Sequence, residues 1–182
     1  MKNVELVIDN LREQRHDFMN EIQVLYGYIQ INKYEESLNY LKKISEENEN
    51  ISLIYSLGDK FLGYILENNI KDMNKYGILL DIELEISSFN EIYFEDKFYK
   101  KRHLVNNIFN ELKEDAKEIY LYLFENELGK SLLISNVEEV KDELDWIEEW
   151  EKKTLDIENF HVYKYKNNDH IGYRIIFDNV KS

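Results

Sequence analysis

Between Asn3 and Asn32 the positions Leu11, Arg15, Phe18, Ile22, Leu25 and Ile29 follow one another at intervals of 4, 3, 4, 3 and 4 residues. That is the a/d rhythm of a helix that lays one stripe against another helix, and Arg15 alone interrupts it. No proline occurs in the 182 residues, and no glycine precedes Gly27, so nothing in the stretch breaks a helix. Thirty residues at about 1.5 Å each make a rod of about 45 Å. A stripe of that length cannot be buried by its own helix.

The sequence supplies a partner at once. Asn32 and Lys33 read as a short connection, after which Tyr34, Leu38, Leu41 and Ile44 restart the helical period. Beyond the polar stretch Ser45 to Asn50, the residues Ile54, Leu57, Phe61, Tyr64 and Asn68 continue it in a shifted phase. This fits one long helix with a kink or two helices; near-continuity is the leaning, with the hairpin filling residues 1–76. Two helices with apolar seams are thin, and dimerisation into a four-helix bundle buries both stripes.

Near Gly77 the period changes. Ile78 to Ile86 alternates as a strand, Lys97 to Lys117 reads as a helix, and Glu118 to Phe124 with Ser131 to Ser135 reads as a hairpin turning at Gly129. Val137 to Lys153 reads as an acidic helix. Phe160 to Tyr165 and Gly172 to Phe177 form a last strand pair around Asn167-Asn168-Asp169. Residues 77–182 are thus expected to be an α/β domain of about five strands and two helices, which makes the chain α+β overall. Trp146 and Trp150, four residues apart on the acidic helix, are expected to pack against the sheet, with a partner hot spot as the alternative.

Composition narrows the function. A net charge of −14 argues against nucleic acid, whose phosphates are held by lysine and arginine clusters. The acidic runs Ser45 to Asn50 and Glu138 to Glu151 read as solvated faces, or as a patch that steers a basic partner. Without cysteine there is no disulfide, thiol nucleophile or Cys-based zinc site. No apolar run reaches membrane-spanning length, and the N-terminus lacks the apolar core of a signal peptide. A soluble, cytoplasmic protein is the expectation.

One combination on the first helix answers no packing requirement. Successive helical residues lie about 100° apart, so His16, Asn20, Gln23 and Gly27 fall within about 40° of one another, with Arg12 preceding them on the same face. His16 follows the seam position Arg15 and should project from the seam's edge into solvent. An imidazole that is largely neutral near neutral pH is a nucleophile with two nitrogens, one to attack while the other is held. Asp17 can orient the ring, and Arg12 or Arg15 can attract phosphoryl oxygens. Asn20 and Gln23 offer amide hydrogen bonds, and Gly27 leaves room for a partner helix. Taken alone, an exposed helical histidine is more often without function. His103, His161 and His170 share no metal-ligand spacing and read as structural.

The stretch Leu11-Arg12-Glu13-Gln14-Arg15-His16-Asp17-Phe18-Met19-Asn20, with Gln23-Val24, Gly27, Gln30, Tyr34-Glu35-Glu36 and Leu38, resembles the helical hairpin of the sporulation-type histidine phosphotransferase family. It is also similar to sensor histidine kinases whose phosphoacceptor domains carry an Arg-His-Asp-Phe-x-Asn block. The motifs cover roughly residues 11 to 45; the remainder agrees in layout more than in letters. The resemblance implies a phosphoacceptor at His16, helped by Asp17, Arg15 and Asn20, with Arg12, Gln23 and Gly27 facing a partner. It further implies a homodimer, response-regulator receiver domains as partners, and an output in sporulation initiation.

It also implies an ATP-binding α/β domain after the hairpin, and there the letters depart. Val105 to Ala116 resembles the asparagine-bearing helix of that domain, and Asn107 matches its first amide. Glu111, however, stands where a magnesium-binding asparagine is expected. After the strand SLLIS, an Asp-x-Gly-x-Gly turn is replaced by Asn136-Val137-Glu138-Glu139-Val140-Lys141. Side chains there obstruct a nucleotide, and Glu138, Glu139, Asp142, Glu143, Asp145, Glu148 and Glu149 repel triphosphate. No Walker motif substitutes. The expectation is a degenerate kinase ATPase domain that binds no ATP and no other cofactor, any magnesium belonging to the regulator's aspartate site. Met1 stands fifteen residues before His16, so no sensing or membrane segment is expected upstream. The leading reading is a relay that moves phosphoryl groups between regulator aspartates through His16. The alternatives are a non-catalytic regulator-binding module and a divergent autokinase.

Overall fold

The computed structural model describes residues 2–89, 91–114, 116–155, 157 and 160–177. Side chains at 2–4, 6, 7, 10 and 13 also lie outside the description, and with them part of the predicted first-helix pattern. Packing divides the chain into two compact units, residues 1–50 and 51–182. The hairpin expected to fill residues 1–76 therefore ends earlier by packing, and its last third belongs to the second unit.

In the first unit, α1 (Lys2–Gln30) is followed by α2 (Tyr34–Ser56), whose last turns enter the second unit. Asn32 takes a left-handed conformation at φ 58°, which asparagine tolerates well. The amides of Ile31 and Lys33 turn back onto the carbonyls of Gly27 and Tyr28, closing α1. Tyr28 and Tyr40 meet edge to face with ring centroids 6.1 Å apart. The predicted seam stays bare: Leu11, Phe18, Ile22 and Ile29 on α1 and Leu38 and Leu41 on α2 are 42–66% exposed.

The second helix is not continuous to Asn68. Gly58 at φ 94° ends it, and Asp59 starts α3 (Lys60–Lys75). The Asp59 carboxylate is 1% exposed and accepts the amides of Phe61 and Leu62 at 3.0 and 3.1 Å. Its second oxygen accepts the amide of Phe94 at 2.9 Å, thirty-five residues on. A three-residue punctuation, Leu57-Gly58-Asp59, thus ends α2 and starts α3 inside the second unit.

After α3 come β1 (Leu79–Leu84), α4 (Phe98–Leu112), β2 (Glu118–Asn126), β3 (Gly129–Ser135), a 3-10 helix (Glu138–Glu149), β4 (Glu151–Lys153), β5 (Phe160–Asn167) and β6 (His170–Phe177). The strands form one six-stranded sheet in the order β1-β2-β3-β6-β5-β4. Among the described residues the β1–β2 pair is parallel and the other four pairs are antiparallel. Both predicted hairpins turn through left-handed backbone, at Gly129 (φ 112°) and Asn168 (φ 53°). Because strand side chains alternate, β2 presents Ile119, Leu121 and Leu123 to the face covered by α3 and α4. Tyr120, Tyr122 and Phe124 go to the other face, under Val140, Leu144 and Trp150. The architecture is mixed α+β.

Two readings of the region after β3 need correction. Residues 137–153 are not an α-helix but the 3-10 helix and then β4, an extra edge strand. The backbone leaves helical geometry at Trp146 (φ −105°, ψ 34°), which upsets the four-residue pairing of the tryptophans. Trp150 is buried and stacks near Tyr165, whereas Trp146 is 59% exposed. Gly172 explains how this segment lies so close to the sheet: a Cβ there would stand 2.5 Å from Val140 Cγ1. On the same face Arg174 is fully buried with no carboxylate partner among the described residues. It bonds Ser131 Oγ and Asn126 Oδ1, lies over the Phe124 ring, and is pushed down to about 10 by burial.

Candidate functional site

The stripe predicted on α1 is present and open to solvent. His16 has a side chain 75% exposed, and Asn20 Nδ2 lies 3.1 Å from its Nδ1. The i, i+4 spacing of one helical turn produces this contact with no help from elsewhere in the fold. Nε2 has no protein partner among the described residues. Asp17, the expected orienting group, stands farther away: its Oδ1 is 3.9 Å from Nδ1. The ring is thus held by the amide more than by the acid.

The other predicted residues divide. Arg12 is exposed and pairs with Asp9 at 3.6 Å, one turn before the histidine. Arg15 and Gln23 are exposed and make no hydrogen bond or ion pair among the described residues. Gly27 meets nothing that a Cβ would touch, so within this chain it relieves no clash, and the room it leaves faces outward. Side chains that the sequence reading passed over flank the stripe. Met19 and Tyr26 lie on one side and Val24 and Ile31 on the other, all 43–63% exposed. Their signal was available, since large apolar residues off the a/d positions have no partner helix to pack on.

In the second unit, the positions where a nucleotide site was sought are tied into the fold. Glu111 accepts Lys164 Nζ at 2.5 Å and the Tyr173 hydroxyl. Burial works to raise its pKa, but these two hydrogen bonds outweigh it and hold the carboxyl below its usual range. The Tyr173 phenol is pushed up to about 12 by burial and by the bond to Glu111. Asn107 Nδ2 lies 3.2 Å from His103 Nε2 on its own helix. Asn136, in place of the expected glycine turn, accepts the amide of Ile171 and donates to the carbonyl of Asp169. The segment that follows packs on the sheet face opposite α3 and α4.

On that opposite face, Tyr120 and Tyr122 donate to Glu83 and Glu85, the acidic side chains at the end of β1. Lys141, the one cation of the 3-10 helix, reaches Glu83 with both oxygens at 2.7 Å and lies over the Tyr122 ring. These bonds lower the Glu83 pKa, Lys141 contributing most, while burial followed by the carboxylate bonds raises both phenols.

Comparison with known proteins gives a consistent family signal. Residues 1–57 match the model of the sensor kinase SpoOB-type, alpha-helical domain. A probable C4-dicarboxylate sensor kinase of Halalkalibacterium halodurans is 21% identical over 153 residues, covering 79% of this chain and 29% of that protein. The sensor protein CitS of the same organism is 28% identical over 86 residues, 46% of this chain and 16% of that one. The chain therefore spans less than a third of the length of either relative. Among solved structures, the Acinetobacter baumannii histidine kinase AdeS aligns with 90% of this chain and 97% of its own at 11% identity. Its TM-score of 0.42 is too low to carry an argument about fold.

Proposed function

For a sensor-kinase-related chain with a SpoOB-like helical domain, we propose that His16 carries a phosphoryl group between the aspartates of response-regulator receiver domains. The observation that carries this reading is the solvent-facing imidazole whose Nδ1 is engaged by Asn20 while Nε2 stays free. A half-turn of the Asn20 amide presents Oδ1 to Nδ1 instead of Nδ2. Nδ1 then keeps the proton, and the lone pair sits on Nε2. That nitrogen attacks the phosphorus of an aspartyl phosphate in line, the N–P bond forms, and the acyl P–O bond breaks to release the carboxylate. The reverse step delivers the group to a second aspartate. Positioning and charge neutralisation carry such a transfer, for which Arg12, Arg15 and Gln23 are at hand. Magnesium belongs to the regulator's acidic pocket in this reading.

The bare seam supports a homodimeric bundle: Leu11, Phe18, Ile22 and Ile29 on α1 and Leu38 and Leu41 on α2 are left in water in the single chain. Met19, Val24, Tyr26 and Ile31 then form the rim on which a receiver sits. An output in sporulation, and a cytoplasmic location, belong to the same proposal; no helix among the described residues is long and apolar enough to cross a membrane.

A divergent autokinase is the second reading, favoured by relatives that are named sensor kinases and by a match that runs into the second unit. Against it stand the engaged Glu111, the side chains at Asn136 and Val137, and the placement of the following segment on the far face. The test is transfer of label from a phosphorylated receiver domain, run beside γ-labelled ATP. Label on wild type from the receiver, none on His16→Gln, and none from ATP is the expected result. Receiver label on His16→Gln would sink the proposal, and label from ATP would establish the second reading.

A further inference from the structure

Strand β1 closes one end of the sheet, and its outer side carries no strand among the described residues. The amides of Leu79 and Glu85 point inward, to the carbonyls of Lys117 and Leu123 on the β2 side. Strand alternation then sends the N–H and C=O groups of Leu80, Ile82 and Leu84 to the outer edge. Six residues give an edge of about 20 Å, enough to pair with an incoming strand. The two faces of this edge differ sharply. Leu80, Ile82 and Leu84 are half-buried against the main core. Asp81, Glu83 and Glu85 line the other face, where Lys141 compensates one charge only. Asp81 is exposed and makes no hydrogen bond or ion pair among the described residues.

We propose that the outer edge of β1 docks an extended segment of a partner protein in which basic and apolar residues alternate. Main-chain bonds to Leu80, Ile82 and Leu84 provide the pairing. Apolar side chains of the segment extend the core face, and basic ones meet Asp81, Glu83 and Glu85. The same acids exclude a second copy of β1, because two such strands would set carboxylates opposite carboxylates. Charge complementarity therefore selects a basic strand over self-pairing.

The test uses the full-length chain and a short fluorescein-labelled peptide of alternating lysine and valine, with a glutamate–valine peptide as control. Fluorescence anisotropy should show binding of the lysine peptide alone, and Asp81→Lys should weaken it by up to about five-fold, the upper end for one cross-strand charge pair. Hydrogen exchange should slow at the amides of Leu80, Ile82 and Leu84 when the peptide is present. N-methylation of alternate peptide amides should abolish binding in one of the two possible patterns and spare it in the other, since only one edge of the peptide faces β1. The proposal is overturned by equal binding of both peptides, by an unchanged Asp81→Lys, by protection elsewhere than β1, by indifference to both methylation patterns, or by peptide-independent self-association through β1.

Discussion

Replacing Asp59 with alanine should destabilise the second unit by about 3 kcal/mol. The carboxylate caps α3 through the amides of Phe61 and Leu62, and such a cap contributes about 1 kcal/mol. Its other oxygen satisfies the amide of Phe94, a residue with no exposed surface. Leaving that N–H unpaired in the interior costs about 1–3 kcal/mol more. For a chain of this size, each kcal/mol corresponds to about 2–4 °C, so the midpoint should fall by about 6–12 °C. Asp59→Ser separates the two contributions. Its shorter hydroxyl restores the cap but does not span to Phe94, so it should recover about 1 kcal/mol. Both tryptophans lie in the second unit, so urea unfolding followed by their fluorescence reads this unit whatever the first one does. A loss below about 1 kcal/mol for Asp59→Ala, or full recovery by serine, would refute the claim that one carboxylate joins the start of α3 to the loop before α4.

Three further outcomes follow from other contacts. Phe18→Glu places a charge in the bare seam beside Ile22, so sedimentation should show the dissociation constant of the proposed dimer rising at least about ten-fold while helix content is retained; an unaltered constant, or a wild-type chain that stays monomeric, would argue that this stripe is not a dimer face. Because the Glu111 carboxyl is held below its ordinary value of 4.5, its contribution to stability is complete above that pH and is lost as pH falls through the folded-state value. Glu111→Gln should therefore flatten the acid limb of a stability–pH curve, and a curve parallel to wild type would contradict this. Gly172→Ala drives a methyl into Val140 and should cost about 1–3 kcal/mol, partly relieved by adding Val140→Ala; simple additivity of the two would mean that the close approach is not the cause.

Much of the first unit was legible because its determinants are local. The apolar spacing of α1, the short connection at Asn32 and the shared face of His16 and Asn20 all rest on residues a few positions apart. The hairpins at Gly129 and Asn168 were equally readable, since each needs a left-handed residue that the sequence names. What escaped was set by distant partners. Asp59 looks like an ordinary polar residue until Phe94 folds onto it, so the sequence leaves one kinked helix and two helices both open and leans to the former. The acidic segment after β3 has enough apolar spacing for an α-helix, but its close seat on Gly172 and the excursion at Trp146 force a tighter one. At the candidate site, the sequence assigns ring orientation to Asp17 and leaves the Asn20 amide to a partner or a water, and only geometry puts the amide nearer the ring. Lys164 and Tyr173 could not have been paired with Glu111 from one sequence, because more than fifty residues separate them.

The tyrosine–carboxylate pairs have a practical consequence. Tyr55 donates to Glu67, Tyr120 to Glu83, Tyr122 to Glu85 and Tyr173 to Glu111. In each, burial and the facing carboxylate raise the phenol pKa. These four keep their protons in alkaline solution for as long as the second unit holds together, and release them when it opens. The near-ultraviolet band of tyrosinate is therefore a label already written into the protein, one that lights as the sheet and its helices come apart.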